Sequence, residues 1–268
     1  MNKIPEVRIA SEQKSNIDYD KFLQVVLEIG EQMLVAGAEV NRVENSILRL
    51  CQSYDCKRIN VFIITSNMQV TMETPEGNIC TQIRRVDKHN VNFDRLDYLN
   101  DLSRKVCERK YTVEEINVEL NKIMERPEAS LKRTIFASML VSSGFAVFFS
   151  GNLKDCISAA LMGTVIALLN KFIFKNETNQ FVSNFAISLI SGFTAIVLVK
   201  LNIGVNINII MIAGIMLLIP GIAMTNSIRD MLTGDIATGT LRLLNSLMLA
   251  TAIASGFALS IILGGRIL

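Results

Sequence analysis

LKRTIFASMLVSSGFAVFFS (131–150) decides how this chain is read. Lys132 and Arg133 stand at its start, and after them no charge appears until Lys154. A bilayer core of roughly 30 Å takes about 20 mostly apolar helical residues, so the stretch is long enough to cross one. Outward from it the chain is two unlike halves. Residues 1–133 carry 41 Asp, Glu, Lys and Arg; residues 134–268 carry 11. The whole-chain values, 50% hydrophobic, 19% charged and net +2, average over that split and describe neither side.

Four further stretches of the same kind follow: Cys156 to Phe174, Phe181 to Val199, Val205 to Ala223 and Leu243 to Leu263. Buried helices of a soluble protein would need polar surface to cover them, and this half has almost none. The expected architecture is an α-helical membrane protein. Residues 1–17 form a flexible N-terminus, 18–130 a cytosolic α+β domain, and 131–268 a five-helix transmembrane bundle. Orientation follows from the basic residues near the helix ends. Arg126, Lys132 and Arg133 keep the N-terminal domain in the cytoplasm. Lys171, Lys175, Arg229 and Arg242 then fall on the inner side, with Lys154, Lys200 and Arg266 outside. The first 20 residues are polar and read as no signal peptide.

Several function classes drop out. A near-neutral charge gives no basic surface for nucleic acid. Five cysteines without a CxxC pair make neither a disulfide framework nor a zinc ribbon, and Cys51, Cys56, Cys80 and Cys107 are expected as free thiols in a reducing compartment. The single histidine, His89, lies in a polar loop without triad partners. No Gly-rich phosphate loop is present, so no ATP-driven step and no cofactor is expected.

In the N-terminal half, Phe22, Val25, Val26, Ile29 and Met33 recur with helical period, and Gly37 ends that helix. Val40, Val43, Ile47 and Leu50 mark a second. The period then falls to two through Ile59, Val61 and Ile63, Val70 and Met72, and Ile79, Thr81 and Ile83, with turns at Ser66-Asn67 and 75–78. Residues 94–110 return to helix, and Thr112 with Glu115 opens a last one before Pro127. The order is ααβββαα. Glu39, Asn41, Arg42 and Glu44 read as a charged first turn, and Arg84-Arg85 as a solvated strand end or an anion contact.

The membrane helices carry small residues at four-residue spacing: Ser138, Ser142, Ala146 and Ser150; Asn184, Ser188 and Gly192; Ala252, Gly256, Ser260 and Gly264. Such faces let backbones approach closely, within one chain or against a second. Lys154 and Asp155 read equally as a wet loop. Chemistry concentrates in 217–246, LLIPGIAMTNSIRDMLTGDIATGTLRLLNS. Pro220 and Gly221 should break the fourth helix, and freed N–H groups at such a break suit an anion. Behind the break stand Thr225, Asn226, Arg229, Asp230, Asp235, Thr238 and Arg242. At helical spacing Asn226 shares a face with Asp230, Thr225 with Arg229, and Thr238 with Arg242. At bilayer depth each charge would cost about 2.5–3.5 kcal/mol; an interfacial loop would leave them solvated.

AGAEVNRVENSILRLC (36–51), VFIITSNMQVTM (61–72), Ile83-Arg84-Arg85-Val86 with NFDRLDYLNDLSRKV (92–106), and PGIAMTNSIRDMLTGDIATGTLRLLNS (220–246) together resemble the threonine/serine exporter family. The resemblance spans roughly residues 18–265. It implies a cytosolic domain followed by five membrane helices in a multi-pass protein of the cytoplasmic (inner) membrane. In fused members a second five-helix unit follows; in split members it is a separate protein, and some split pairs are linked to export of dicarboxylates such as succinate. The chain is thus expected to be the large subunit of a split exporter, partnered by a second five-helix subunit, in the bilayer, as an assembly of more than one chain. Its cargo is expected to be a small carboxylate metabolite, threonine/serine or a dicarboxylate. The same resemblance makes Pro220, Gly221, Thr225, Asn226, Arg229, Asp230, Asp235 and Arg242 the candidates for substrate binding or coupling. Arg229 and Arg242 would neutralise a carboxylate, and Asp230 or Asp235 would carry a proton. The competing reading is a membrane-anchored cytosolic enzyme or sensor; against it stands the want of a nucleophile–base pair or metal cluster.

Overall fold

Asp18 starts the first helix by accepting a hydrogen bond from the Lys21 N–H (3.1 Å), one of the donors that a helix start leaves without a partner. In the computed structural model, residues 17–64, 66–86, 91–127, 129–173 and 179–265 are described. Residues 1–16, which hold most of the expected flexible N-terminus, lie outside them, as do His89, Lys175 and Arg266. Helix α1 (Tyr19–Val35) buries Phe22, Val25, Val26, Ile29 and Met33, the face its periodicity predicts. Gly37 follows at φ +100°, a conformation that costs glycine little. Helix α2 (Val40–Ser53) buries Val40, Val43, Ile47 and Leu50.

Strands β1 (Lys57–Ile64), β2 (Asn67–Glu73) and β3 (Ile79–Arg85) form an antiparallel meander in that order. Helices α3 (Phe93–Arg109) and α4 (Val113–Met124) complete the ααβββαα series, with α4 opened by the expected Thr112/Glu115 capping box. Cys51, Cys56 and Cys80 are buried free thiols. Burial pushes the Cys51 thiol up to about 12 and Cys56 to about 11, so both pack as small apolar groups.

The third strand departs from its pattern. Ile79, Thr81 and Ile83 do share a face, but it is the outer one: Ile79 and Ile83 are 74% and 64% exposed. The other face lies over the polar rim of α1. There Gln82 Nε2 donates to the Asp20 carbonyl (2.8 Å), and Arg84 reaches Glu28 and Glu31 at 3.9 and 3.3 Å. Arg84 is therefore held by two glutamates of its own domain.

Two compact units divide the chain. One joins the residues up to Arg126 with Asn226–Leu241; the other joins Pro127–Thr225 with Arg242–Leu268. In sequence order, helices α5 (Leu131–Phe148), α6 (Leu153–Leu168, extended by a π-helical turn, Leu169–Ile173), α7 (Gln180–Lys200), α8 (Ile207–Leu218), α9 (Gly221–Leu232) and α10 (Ile236–Gly264) follow. Four spans, Leu131–Phe148, Leu153–Phe172, Gln180–Lys200 and Ile236–Gly264, are long and apolar enough to cross a membrane. The pair α8 and α9, bent by 53°, makes a fifth if taken as one span. The expected fourth span is thus cut at Ile219-Pro220, where proline removes a backbone donor. The expected fifth span starts earlier than Leu243. No proline interrupts 236–264, and the Asp235 carbonyl already accepts from the Gly239 N–H (2.9 Å).

Within the membrane unit the small residues are used between helices of this chain. A Cβ on Gly163 would lie 2.6 Å from the Ser138 carbonyl oxygen of α5. One on Gly256 of α10 would lie 2.5 Å from the Phe185 carbonyl oxygen of α7, and one on Gly192 would strike Ser260. These faces are spent on α5–α6 and α7–α10 packing. Asp155 is no wet loop residue: it is buried. It closes a capping box with Asn152, and its Oδ1 accepts from the Val205 and Asn206 N–H groups, both at 2.8 Å. One carboxylate thereby ties the start of α6 to the turn before α8.

Candidate functional site

Residues 226–241 fold with the N-terminal residues, some 190 positions earlier in the chain. The α1–α2 connection and the first turns of α2 supply one side. Gly37 presents its carbonyl to the Asn226 side-chain amide, which donates at 3.3 Å. Glu39, in extended backbone just before α2, forms an ion pair with Arg229. Thr238, buried at the start of α10, donates its hydroxyl to the Ile63 carbonyl of β1 (3.4 Å).

Helix α9 and the turn after it supply the other side. Gly234, at φ +107°, reverses the chain after α9, and the Asp235 N–H donates to the Asp230 carbonyl (2.9 Å). Gly239 then allows close contact with α9: a Cβ there would lie 2.6 Å from the Ser227 carbonyl oxygen. This turn brings Asp230 and Asp235 near Glu44, one turn into α2. Asp230 is buried. The Glu44 carboxyl is pushed up from 4.5 to about 7, first by burial and then by the negative charges of Asp235 and Asp230. A carboxyl in that range exchanges its proton near neutrality. Among the described residues no group of three His, Cys, Asp or Glu is arranged to hold a metal ion.

The candidates of the charged motif therefore separate. Asn226, Arg229, Asp230 and Asp235 lie in the unit of the N-terminal residues. Pro220, Gly221, Thr225 and Arg242 lie in the membrane unit. Pro220 stands at the α8–α9 break, and Gly221 has open space where a side chain would be, so its place is set by the break and not by crowding. Thr225 donates to the Gly221 carbonyl one turn back (3.0 Å), and the Arg242 carbonyl accepts from Ser246 (2.9 Å). Asn226 and Asp230 share the face that periodicity predicts. Glu39 and Glu44 enter the site although their spacing reads only as a charged first turn. The signal that could have found them is their place inside 36–51, one of the four stretches that carry the family resemblance.

Residues 24–264 match the model of a family described as "Putative threonine/serine exporter". A "Probable threonine/serine exporter" of Mycobacterium tuberculosis (strain ATCC 25618 / H37Rv) is 24% identical over 246 residues, which are 90% of this chain and 46% of that protein. The chain thus spans about half the length of the curated relative it matches. No solved structure matches it.

Proposed function

We propose, from the premise that the chain belongs to the threonine/serine exporter family, that it is one subunit of a secondary exporter moving small carboxylate metabolites out across the cytoplasmic membrane. The observation that carries this reading is the meeting of Glu39 and Glu44 with Arg229, Asp230 and Asp235, drawn from the two ends of the chain. The N-terminal domain faces the cytoplasm, as the basic residues before α5 suggest. A second five-helix unit of the same family is its partner, and the matched relative, of which this stretch is less than half, supports that expectation.

The chemistry runs through exchange of partners. Arg229 holds Glu39 in this structure. A guanidinium binds a carboxylate through two parallel hydrogen bonds, so a substrate carboxylate competes with Glu39 for Arg229. Threonine or serine offers Arg229 one carboxylate, and a dicarboxylate such as succinate offers it either of two. The coupling proton resides on Glu44, Asp230 or Asp235, because three neighbouring carboxyls resist being ionised together. Protonating one lowers the repulsion that the others feel, and losing that proton restores it. A carboxyl poised near 7 suits both steps.

Proteoliposomes loaded with labelled threonine, serine or succinate test this, with and without the second subunit. Export should need both subunits and fall at least about tenfold in Arg229→Ala and in Asp230→Asn, the scale of one lost charge-assisted contact. Undiminished export by both variants in a correctly folded complex removes the site from the mechanism.

A further inference from the structure

A second polar feature lies on the other flank of α2. Between α2 and α3 runs an open cleft of about 720 Å³, within the roughly 300–1,000 Å³ that small-ligand sites occupy. Arg42 and Arg49 from α2 and Arg104 from α3 line it, against a single lining carboxylate, Glu108. The other lining groups are amides, hydroxyls and one thiol.

The arginines are unevenly neutralised. Arg104 lies 3.8 Å from Asp101, which is held more closely by Lys105 at 2.7 Å. Among the described residues, Arg42 and Arg49 form no ion pair with any carboxylate. Arg42 is instead positioned by a neutral group. Its Nε donates to Asn100 Oδ1 (3.1 Å), and Asn100, buried, is itself fixed by donating to the Leu96 carbonyl (2.7 Å). That bond uses one of the five guanidinium donors and leaves the paired terminal nitrogens for something else.

We propose that this cleft binds a small organic dianion, carrying carboxylate or phosphate oxygens, between Arg42 and Arg49. Three guanidiniums on one cleft repel each other, and an oxyanion relieves that repulsion while matching their planar fork. The opposing amides and hydroxyls suit a ligand with a polar body. The site is separate from Arg229 and Asp230, so binding that persists once Arg229 is removed tests it independently of the export reading. Since α2 also carries Glu44, and Glu39 just precedes it, a ligand here would sit on the helix that meets 226–241.

Isothermal titration of the full chain in detergent tests it, with succinate and inorganic phosphate as probes and zwitterionic threonine as control, at a fixed ionic strength of about 0.15 M. The chain carries Arg229→Ala throughout, so that the proposed export site is disabled. At least one dianion should bind saturably and threonine should not. Binding of succinate alone assigns a dicarboxylate ligand, and of phosphate alone a phosphate-bearing one. Arg49→Gln, at a side chain that makes no hydrogen bond among the described residues, should weaken binding at least about tenfold with the melting temperature unchanged. Arg49→Lys, which keeps the charge and loses the fork, should fall between. Arg42→Gln should weaken binding too; its fold is checked by circular dichroism. Failure of both dianions to saturate, equal binding of threonine, or full affinity in Arg49→Gln overturns the proposal.

Discussion

The two units of this chain differ in what their surfaces show: both bury large apolar groups, but only the membrane unit also exposes many of them. The N-terminal unit encloses a core of large apolar groups, Phe22, Leu27, Met68 and Leu99 among them. The membrane unit shows large apolar groups on its outside, Phe136, Phe148, Leu153 and Ile262 among them, and encloses serines and glycines. Four of its buried hydroxyls, those of Ser142, Ser158, Ser188 and Ser191, have no hydrogen-bond partner among the described residues. In water, apolar area withdrawn from solvent drives packing, so large groups go inside. In lipid that drive is absent, and helices associate by close approach, which small residues permit. A large apolar side chain is therefore placed by water in one unit, and in the other it can lie on either side of the helix.

The largest test of this contrast is Phe22→Ala. Phe22 packs on Tyr54 with ring centroids 4.2 Å apart, and its loss should cost the N-terminal unit about 3–5 kcal/mol. All four tyrosines lie in the N-terminal residues and the chain has no tryptophan, so tyrosine fluorescence during urea unfolding follows this unit alone. In the membrane unit the damaging change is the reverse. Gly256→Ala places a methyl group against the Phe185 backbone and should cost about 1–3 kcal/mol in detergent melts. Gly144→Ala, where nothing lies within 4 Å, should instead stabilise by up to about 1 kcal/mol. Equal effects at the two glycines would break the comparison.

Glu44→Gln tests the charged site with a smaller and pH-dependent effect. Folding raises the Glu44 pKa from 4.5 to about 7, so the folded state holds this proton more tightly than the unfolded chain does. The stabilisation is fully present below about pH 4.5 and is lost as pH rises through about 7. Glutamine should flatten that fall in the tyrosine-monitored stability, and in proteoliposomes it should remove the pH dependence of export near neutrality. The smallest expected effect is Ser188→Ala, within about 0.5 kcal/mol or slightly stabilising, because the hydroxyl it removes is buried without a partner.

Much of the local structure was legible. The capping pair Thr112 and Glu115, the break at Pro220 and the helix stop at Gly37 rest on contacts within a few residues, which sequence spacing encodes directly. The Asn152/Asp155 capping box has the same kind of spacing and was legible in principle; the further bonds from Asp155 to Val205 and Asn206 were not, because they close a loop of 50 residues. Strand β3 misled because period two tells that faces differ, not which one is covered. The polar rim of α1 left Gln82 and Arg84 inward and Ile79 and Ile83 outward.

By itself the sequence determined that one half is charge-dense and the other apolar, where the helices and strands lie, and which motif gathers the few charges of the apolar half. Hydrophobic period, helix caps and charge density are local quantities, carried by neighbours in the chain. Only the tertiary structure decided that Asn226–Leu241 folds with the N-terminal residues, that Arg229 meets Glu39 and that Glu44 shares its surroundings with Asp230 and Asp235. The two motifs are separated by about 190 residues. Each reads alone as an ordinary charged helix turn, and a carboxyl poised near neutrality exists only once packing has removed water from it and placed other negative charges beside it.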